Sequence, residues 1–467
     1  MSLDELTLQS AMDLSSMITK GDLSPVEITQ AYLARIEKYS HLNAYITVDY
    51  EGAMNAARIA EKELSHGLIR SPIHGLPVAV KDQFHVKGMR TTLGGNIYDK
   101  ISTEDATVVA RLRDAGAIFL GKLNLSEYAL GGNIEHPFGV PKNPWDITRQ
   151  AGQSSSGSAV AVAASLCSAA LGGDTAGSIR GPAAWCGIVG LRPTWGAVSR
   201  YGAFPMAWFM DTIGPMTKTV KDAAIFHYAI AGNDPKDIYT SKRTVLPFDH
   251  TLGLKGLRIG IVRESLDKGM ASEHVIDAFN TAMDVFRDAG ALVEDASLPL
   301  FEQGGLIANT LSDVEAAHTH RHWLREQPND YDFATRRRLM AASLISGAMY
   351  TKLSRFRMLM RRDVMSALHQ FDVIVTPAQA GGAPLIANET NLTSKEAVIS
   401  QFFGLRSHRS PFNLSGVPAM AIPCGFTGDG MPVSIQIAGQ PFAENLLFQF
   451  GLEFQNRTDW HLQRPDL

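Results

Sequence analysis

The chain has 467 residues, of which 45% are hydrophobic and 19% charged, and its formal net charge is −4. This composition supports a large folded core, excludes extensive disorder, and gives no basic footprint for nucleic acid or an anionic membrane. The 3 cysteines are far apart and form no CxxC pair, so we expect buried reduced thiols, with neither a disulfide framework nor a zinc site. The N-terminus lacks a basic and apolar leader, and no apolar run reaches the ~18 residues that span a bilayer. The expected location is therefore cytoplasmic.

Residues 1–70 are predicted to be helical. Ser24, Pro25 and Glu27 fit a capping box with proline at the first helical position. Residues 51–64 are rich in alanine with interspersed charges, which favours a second helix.

A strand, a helix and a second strand are predicted next. Residues 75–80 form an apolar run typical of a buried strand, and the run ends at Lys81. Residues 105–115 predict a helix, and residues 117–120 predict the following strand. This order indicates a βαβ unit and a largely parallel sheet. A lysine at the mouth of a buried strand must be paired or neutral.

Residues 116–123 come close to the pattern of a phosphate-binding P-loop. The pattern fails because Leu123 has no hydroxyl for magnesium and the intervening residues are strand formers. We therefore interpret Lys122 as a residue at the rim of a strand end.

The stretch 151–191 is rich in glycine, serine and alanine, and Asp174 and Arg180 are its only charged residues. It contains two serine sites, at Ser154 and at Ser178. A serine hydroxyl attacks a carbonyl only when a base removes its proton, and a desolvated lysine such as Lys81 can be that base. Small residues before Ser178 leave backbone amides open, as an oxyanion hole requires.

Other interpretations of these residues stay open on spacing alone. The serines at 154–158 are also typical of plain helix N-caps. A Ser-His-Asp triad is possible as well, because the chain contains 14 histidines, although none lies in a distinctive context.

The remaining chain predicts further strands and helices around a helical lobe. Strands are predicted at residues 257–262, 372–376, 417–423 and 432–437, and helices at 272–288, through most of 302–370, and at 443–454. Residues 192–215 and 379–405 are predicted loops. We expect one domain over 1–467, with N-terminal helices (1–70), a core (73–220), a mostly helical lobe that contributes to the substrate pocket (300–400), and C-terminal core strands and a helix (410–467).

The serine-rich stretch resembles the signature of the amidase signature family. The resemblance lies in AGQSSSGSAVAVAASLCSAALGGDTAGSIRGPAAWCGIVGLRPT and extends to LPVAVKD around Lys81. Residues 121–124, 142–146, 211–215 and 413–444 are also similar. The resemblance implies an α/β fold in which a mixed, twisted sheet of about eleven strands is covered by helices on both faces.

The family resemblance also implies a Ser–cis-Ser–Lys triad and an acyl-enzyme, with no metal or cofactor. Ser178 would be the nucleophile, Ser154 the bridging serine after a cis peptide bond, and Lys81 the base. The resemblance further implies that the oxyanion hole is formed by the backbone amides of Thr175, Ala176, Gly177 and Ser178. It implies a supporting role for Ser155, Asp174 and Arg180.

This chain departs from the family pattern at Gln153, Ser156 and Ala176, each of which replaces a glycine. Gln153 must be accommodated just before the predicted cis bond. Alanine disfavours a positive φ, so at position 176 we expect a slightly reshaped loop. These changes bear on substrate choice more than on the chemistry.

Two apolar clusters are candidates for a substrate pocket, to which we add Gln153. The first comprises Phe204, Met206, Trp208, Phe209 and Met210, and the second includes Gln401 and Phe402. Ordinary core packing explains either cluster equally well. If the two clusters line a substrate pocket, the substrate is expected to be a hydrophobic or aromatic amide, anilide or carbamate. We expect a small-molecule partner, neither nucleic acid nor membrane, and leave homodimerisation open.

Two alternative functions remain. One is the amidase subunit of a tRNA-dependent amidotransferase, although the helical segment associated with it is replaced here by Ser346–Tyr350. The other is a non-catalytic scaffold of the same family, which the intact Lys81, Ser154 and Ser178 disfavour.

Overall fold

An eleven-stranded mixed sheet runs through the centre of the protein. The computed structural model describes residues 3–131, 135–245, 253–387, 394 and 407–467. The strand order in the sheet is β1-β5-β2-β8-β10-β9-β14-β15-β13-β11-β12. The strands of this sheet are β1 (Tyr45–Val48), β2 (Pro77–Lys81), β5 (Ile118–Leu123), β8 (Ala169–Asp174), β9 (Val189–Arg192), β10 (Thr212–Thr217), β11 (Arg258–Val262), β12 (Leu292–Ala296), β13 (Val373–Pro377), β14 (Ala419–Phe426) and β15 (Pro432–Gly439). Two small ribbons pair β3 (Arg90–Thr91) with β4 (Lys100–Ile101) and β6 (Lys142–Asn143) with β7 (Asp146–Gln150).

Helices precede the first strand, form many of the connections between strands, and follow the last strand. They are α1 (Leu3–Thr7), α2 (Ala11–Lys20), α3 (Pro25–Lys38), α4 (Tyr50–Ser65), α5 (Thr107–Asp114), α6 (Ser156–Ala163), α7 (Arg180–Cys186), α8 (Val220–Ile230), α9 (Glu273–Asp288), α10 (Gly304–Thr319), α11 (Arg321–Glu326), α12 (Phe333–Ser343), α13 (Gly347–Gln370), α14 (Ser410–Ser415) and α15 (Glu444–Arg457). The predicted capping box is confirmed, because Ser24 and Glu27 each bond the other's backbone at the start of α3. Within the part of the chain that the structure describes, no helix is both long and apolar enough to cross a membrane.

The predicted βαβ unit is confirmed, but the expectation of a largely parallel sheet is wrong. Strand β2 lies parallel to both β5 and β8, and α5 connects β2 to β5. Four of the ten neighbouring pairs are parallel and six are antiparallel. Short connections such as the turn between β14 and β15 force antiparallel pairing, since only a long crossover can return a strand in the same direction. The mixed sheet implied by the family resemblance is the one observed.

Helices cover both faces of the sheet, so its central strands are buried on both sides, whereas the edge strands β1 and β12 are partly exposed. Along β13, Val373 and Val375 pack into one apolar cluster, while Ile374 packs into another. Successive residues of a strand point to opposite faces, so this alternation places packed apolar layers above and below the sheet.

Candidate active site

The candidate site lies at one edge of the sheet, where β2 and β8 end. These strands are parallel neighbours, so their carboxyl ends meet at the same edge. Lys81 is the last residue of β2, and Asp174 is the last residue of β8. The loop that follows β8 contains Ser178 and leads into α7.

Lys81 and Ser154 form a buried polar pair. The Lys81 Nζ donates a hydrogen bond to the Ser154 Oγ over 2.8 Å. Lys81 is 0% exposed and Ser154 is 2% exposed. Burial lowers the pKa of Lys81 to about 7, although the carboxylates of Asp211 and Asp174 act in the opposite direction. An amine with this pKa is largely neutral at slightly alkaline pH and can accept a proton.

The serines of the 154–158 segment make tertiary hydrogen bonds. The peptide bond between Gln153 and Ser154 is cis. Ser155 occupies the N-cap position of α6, yet its side chain makes no capping bond; its Oγ donates to Gly173 O over 3.1 Å and accepts from Gly173 N over 3.2 Å. Ser158 Oγ donates to Leu171 O over 3.1 Å. These side chains therefore join α6 to β8, and the plain helix-cap interpretation is wrong for this segment.

The Ser178 loop is joined to the Ser154 segment through the backbone. Ser155 N donates to Ser178 O over 3.2 Å, and Ser178 is half-buried. Gly177 has φ +113°, and a Cβ there would lie 2.7 Å from Arg409 side-chain atoms, so this position requires glycine. Ala176 does not adopt a positive φ, so the alanine that replaces the family glycine fits its position without backbone strain.

Asp174 is the hydrogen-bonding centre of this loop. Its carboxylate accepts from Gly177 N over 2.9 Å and from Ile179 N over 3.1 Å. Arg180 and Arg192 both form ion pairs with it. Burial alone would raise the pKa of Asp174, but the two guanidinium groups hold that pKa well below its usual range. The loop is therefore built around a permanent negative charge.

Sequence reasoning missed several partners of this centre. Arg192 and Asn413 both donate to Asp174, the latter over 2.6 Å, while Gln436 and Asn413 accept from Arg180. Each lies in a stretch that resembles the family pattern, and that resemblance was the available signal. The partners come from β9, α14 and β15, so only the fold brings them together.

A cavity of about 290 Å³ lies beside the end of β8. Its lining includes Gly173 and Thr175, which flank Asp174, and the aromatic side chains of Phe204 and Trp208; Lys81, Ser154 and Ser178 are not part of this lining. Met206 and Met210, predicted for the pocket, are buried in apolar clusters, and Met206 also lines a second cavity of about 520 Å³ together with Trp208.

The other predicted pocket residues lie elsewhere. Phe209 is 42% exposed and contacts Trp195 and Arg357. Gln153 is exposed. Gln401 and Phe402 lie outside the described residues.

Lys122 is not at the rim of the sheet, which corrects the prediction made for it. Its ammonium is 0% exposed and lies 2.7 Å from the Asp82 carboxylate, with Thr91 Oγ1 at 2.9 Å. Residues 118–123 form β5 in full, and the side chain of Lys122 extends from this strand into a pocket that supplies its counter-charge.

These features define the class of protein: an α/β protein with a lysine–serine pair buried at the carboxyl ends of neighbouring parallel strands. A family model described as Amidase matches residues 27–448, and the chain belongs to this family of hydrolases that act on C–N bonds. The resemblance to the amidase signature family and the expected α/β fold are thereby confirmed.

Several known proteins are similar over nearly the whole chain. A glutamyl-tRNA(Gln) amidotransferase subunit of Roseiflexus sp. (strain RS-1) is 38% identical, covering 100% of this chain and 99% of that protein. The native peptide amidase from Stenotrophomonas maltophilia has 31% identity and a TM-score of 0.84, covering 98% of both chains. A chain from a vestigial protein complex that bears on the origins of an s-triazine catabolic enzyme has 31% identity and a TM-score of 0.89, covering 98% of this chain and 100% of that one.

Proposed function

We propose that this protein hydrolyses an amide bond through a covalent acyl-enzyme on Ser178. The observation that carries the proposal is the buried 2.8 Å hydrogen bond between Lys81 and Ser154. A lysine with a serine hydroxyl as its partner can shuttle a proton, whereas a lysine paired with a carboxylate is held in its charged form.

The first step is attack of Ser178 on the substrate carbonyl. Neutral Lys81 accepts the proton of the Ser154 hydroxyl, and Ser154 in turn accepts the proton of the Ser178 hydroxyl. As it loses this proton, the Ser178 Oγ forms a bond to the carbonyl carbon of the substrate. The carbonyl oxygen becomes negatively charged in the tetrahedral intermediate. The backbone amides of Thr175, Ala176, Gly177 and Ser178 form the proposed oxyanion hole.

The second step expels the amine or ammonia. The proton on Lys81 returns through Ser154 to the leaving nitrogen as the C–N bond breaks, which leaves an ester on Ser178. Water, deprotonated by the same relay, attacks this ester and releases the carboxylic acid. Asp174 and Arg180 support the reaction by fixing the loop, because Asp174 holds Gly177 N and Ile179 N.

For the substrate we propose a hydrophobic or aromatic amide, anilide or carbamate. Support comes from the cavity beside β8, whose wall includes Phe84, Phe204 and Trp208. Apolar surface of this kind favours a substrate group that gains free energy on leaving water.

A substrate panel on the purified protein tests both parts of the proposal. We expect aromatic and medium-chain anilides to be cleaved faster than acetamide or glutamine, and Ser178→Ala to abolish every activity. Ser158→Ala is the matched control, since Ser158 lies in the same serine-rich segment but bonds only the carbonyl of Leu171. Turnover by Ser178→Ala at the wild-type rate would refute the acyl-enzyme. A preference for small polar amides would refute the apolar substrate.

A second candidate function is that of a glutaminase subunit in a tRNA-dependent amidotransferase. The 38% identity with the glutamyl-tRNA(Gln) amidotransferase subunit of Roseiflexus over the full chain favours it. An affinity-tagged chain expressed in its native host, followed by mass spectrometry and a glutaminase assay of the purified material, distinguishes the two. Stoichiometric recovery of a second subunit together with glutaminase activity would support this candidate. An active single chain without glutaminase activity would exclude it.

A further inference from the structure

The side chain of Arg409 lies against the catalytic loop on both sides of Ser178. A Cβ on Gly177 would lie 2.7 Å from the Arg409 Nε, and a Cβ on Gly181 would lie 3.1 Å from the same atom. Gly177 directly precedes Ser178 in the chain, and Gly181 closes the same turn by donating its N–H to the Gly177 oxygen over 2.8 Å. Glycines at these two positions therefore let the guanidinium group pack directly onto the backbone of the loop.

The guanidinium group of Arg409 uses little of its capacity to donate hydrogen bonds. Its Nη1 donates to the backbone oxygen of Ala378 over 2.6 Å. Its Nε is buried without a hydrogen-bond partner, and its Nη2 donates to none of the described residues. Nε and Nη2 lie along one edge of the guanidinium group, and such an edge can bind a carboxylate through two parallel hydrogen bonds. A buried donor without a partner costs free energy, which a bound acceptor would recover.

Positive charge exceeds negative charge around this loop. Arg180 and Arg192 both pair with the Asp174 carboxylate, and Arg409 forms no ion pair with any residue that the structure describes. The carboxylate of Asp211 accepts three hydrogen bonds, none of them from these arginines. Burial and the charge of Arg180 lower the pKa of Arg409 to about 10, so this group keeps its positive charge at neutral pH. A ligand with a negative charge would balance the excess.

We propose that Arg409 binds a carboxylate on the acyl part of the substrate, so that the substrate is an amide that also carries an acid group. The inference rests on the proposed function, which places the substrate carbonyl at Ser178. The acyl part stays bonded to Ser178 after the amine has left, so it is the part of the substrate that lies nearest to the loop on which Arg409 packs. An aromatic spacer between the amide and the acid agrees with the aromatic substrate proposed above.

The test compares carbamoylbenzoates with nitrobenzamides, which have nearly the same shape but no charge. Both the meta and the para isomers are used, since they place the acid group at different distances from the amide. We expect wild-type kcat/KM to be about 10-fold or more higher for the preferred carbamoylbenzoate than for its nitro counterpart. Arg409→Gln should lower kcat/KM for that acid about 10- to 100-fold, mainly through KM, and should change the value for the neutral amide less than about 3-fold.

Two further variants control for the loss of an arginine as such. Arg361→Gln is the matched control, because Arg361 also donates to a backbone oxygen, that of Ser415, but lies in α13 and outside the catalytic loop. It should leave the ratio of the two kcat/KM values unchanged. Arg409→Lys keeps the charge without the planar fork, and it should retain part of the preference for the acid that Arg409→Gln loses.

A binding measurement separates this inference from the proposed function. Ser178→Ala should bind the preferred carbamoylbenzoate in isothermal titration calorimetry, and the double variant Ser178→Ala, Arg409→Gln should bind it about 10-fold or more weakly. If a fluorophosphonate probe does not label the wild-type protein at Ser178, the proposed nucleophile is wrong. Weaker binding by the double variant would support the acid-binding role of Arg409 even then.

Two results would overturn the inference. Equal losses of kcat/KM for the acid and the neutral amide in Arg409→Gln would show that Arg409 supports the loop or the developing oxyanion and does not bind an acid group. A wild-type protein that neither cleaves nor binds the carbamoylbenzoates better than the nitrobenzamides would also contradict the inference. This second result does not depend on whether Arg409→Gln folds.

Discussion

At the scale of single residues, three buried lysines of this protein differ in what they contact. Lys122 lies against the Asp82 carboxylate. Lys218 donates to the backbone carbonyls of Thr7 over 2.6 Å and Gln9 over 3.0 Å. Lys81 donates to the hydroxyl of Ser154. A hydroxyl can return a proton where a backbone carbonyl cannot, so chemical capacity follows from the partner and not from burial alone.

The first prediction concerns the pH dependence of turnover. Burial lowers the pKa of both Lys81 and Lys218 to about 7. The base must be neutral, so kcat/KM should rise with pH through about 7 and level off above it. Lys81→Met should abolish activity, whereas Lys218→Met should keep the same rising limb because it lies outside the site. The residual activity of Lys81→Met and the pH–rate profile of Lys218→Met decide this, and loss of the rising limb in Lys218→Met would show that the titrating group is Lys218 and not Lys81.

At the scale of elements, the pairing of β1 with β5 depends on one glycine. Gly121 pairs with Val48, and a Cβ on Gly121 would lie 2.1 Å from the backbone oxygen of Thr47. That oxygen belongs to a paired strand and cannot move away as a side chain could. The edge strand β1 therefore lies so close to β5 that only glycine, which has no Cβ, fits at position 121.

We accordingly predict that Gly121→Ala destabilises the fold by about 2–4 kcal/mol, since β1 must shift away from β5. Gly347→Ala is the matched control, because Gly347 begins α13 and a Cβ there would meet nothing within 4 Å. The control should be neutral or stabilising by up to about 1 kcal/mol. Denaturant unfolding curves of the two variants give the comparison, and equal stabilities would show that β1 does not need the close approach.

At the scale of the whole molecule, the apolar interior encloses all three cysteines. Cys167, Cys186 and Cys424 are free and buried, as the sequence predicted. Burial raises the pKa of the Cys167 thiol to about 12 and also raises the pKa values of the Cys186 and Cys424 thiols well above their usual range. A thiol that is both inaccessible and protonated does not react, because the thiolate is the nucleophile.

The thiols should therefore report on global unfolding. We expect no rapid reaction of the native protein with a disulfide reagent such as Ellman's reagent, and reaction of three thiols in denaturant. The cysteines lie in different parts of the chain, so their reaction rates in mild denaturant should be similar if the molecule opens cooperatively. Fast reaction of one cysteine in the native protein would contradict this and would locate a region that opens by itself.

Local pattern in the sequence was sufficient for elements that bury a clear apolar face. The capping box at Ser24, the apolar run that ends at Lys81 and the helix around residues 273–288 have the expected type and nearly the expected bounds. The strand β8 was missed because its sequence, AALGGD, consists of residues with low strand propensity, and its place between β2 and β10 is decided by tertiary packing.

By itself, the sequence determined the family, the α/β class and the three residues proposed for the triad, because these depend on residue types in a recognisable order. The tertiary structure alone decided that Lys122 is a buried ion-pair partner, that Met210 is a core residue, and that Asp211 faces Thr175. Each of these facts is a contact between elements far apart in the chain. Spacing along a sequence specifies which face a side chain occupies, whereas the charge, carbonyl or hydroxyl that it meets there depends on how the strands and loops assemble.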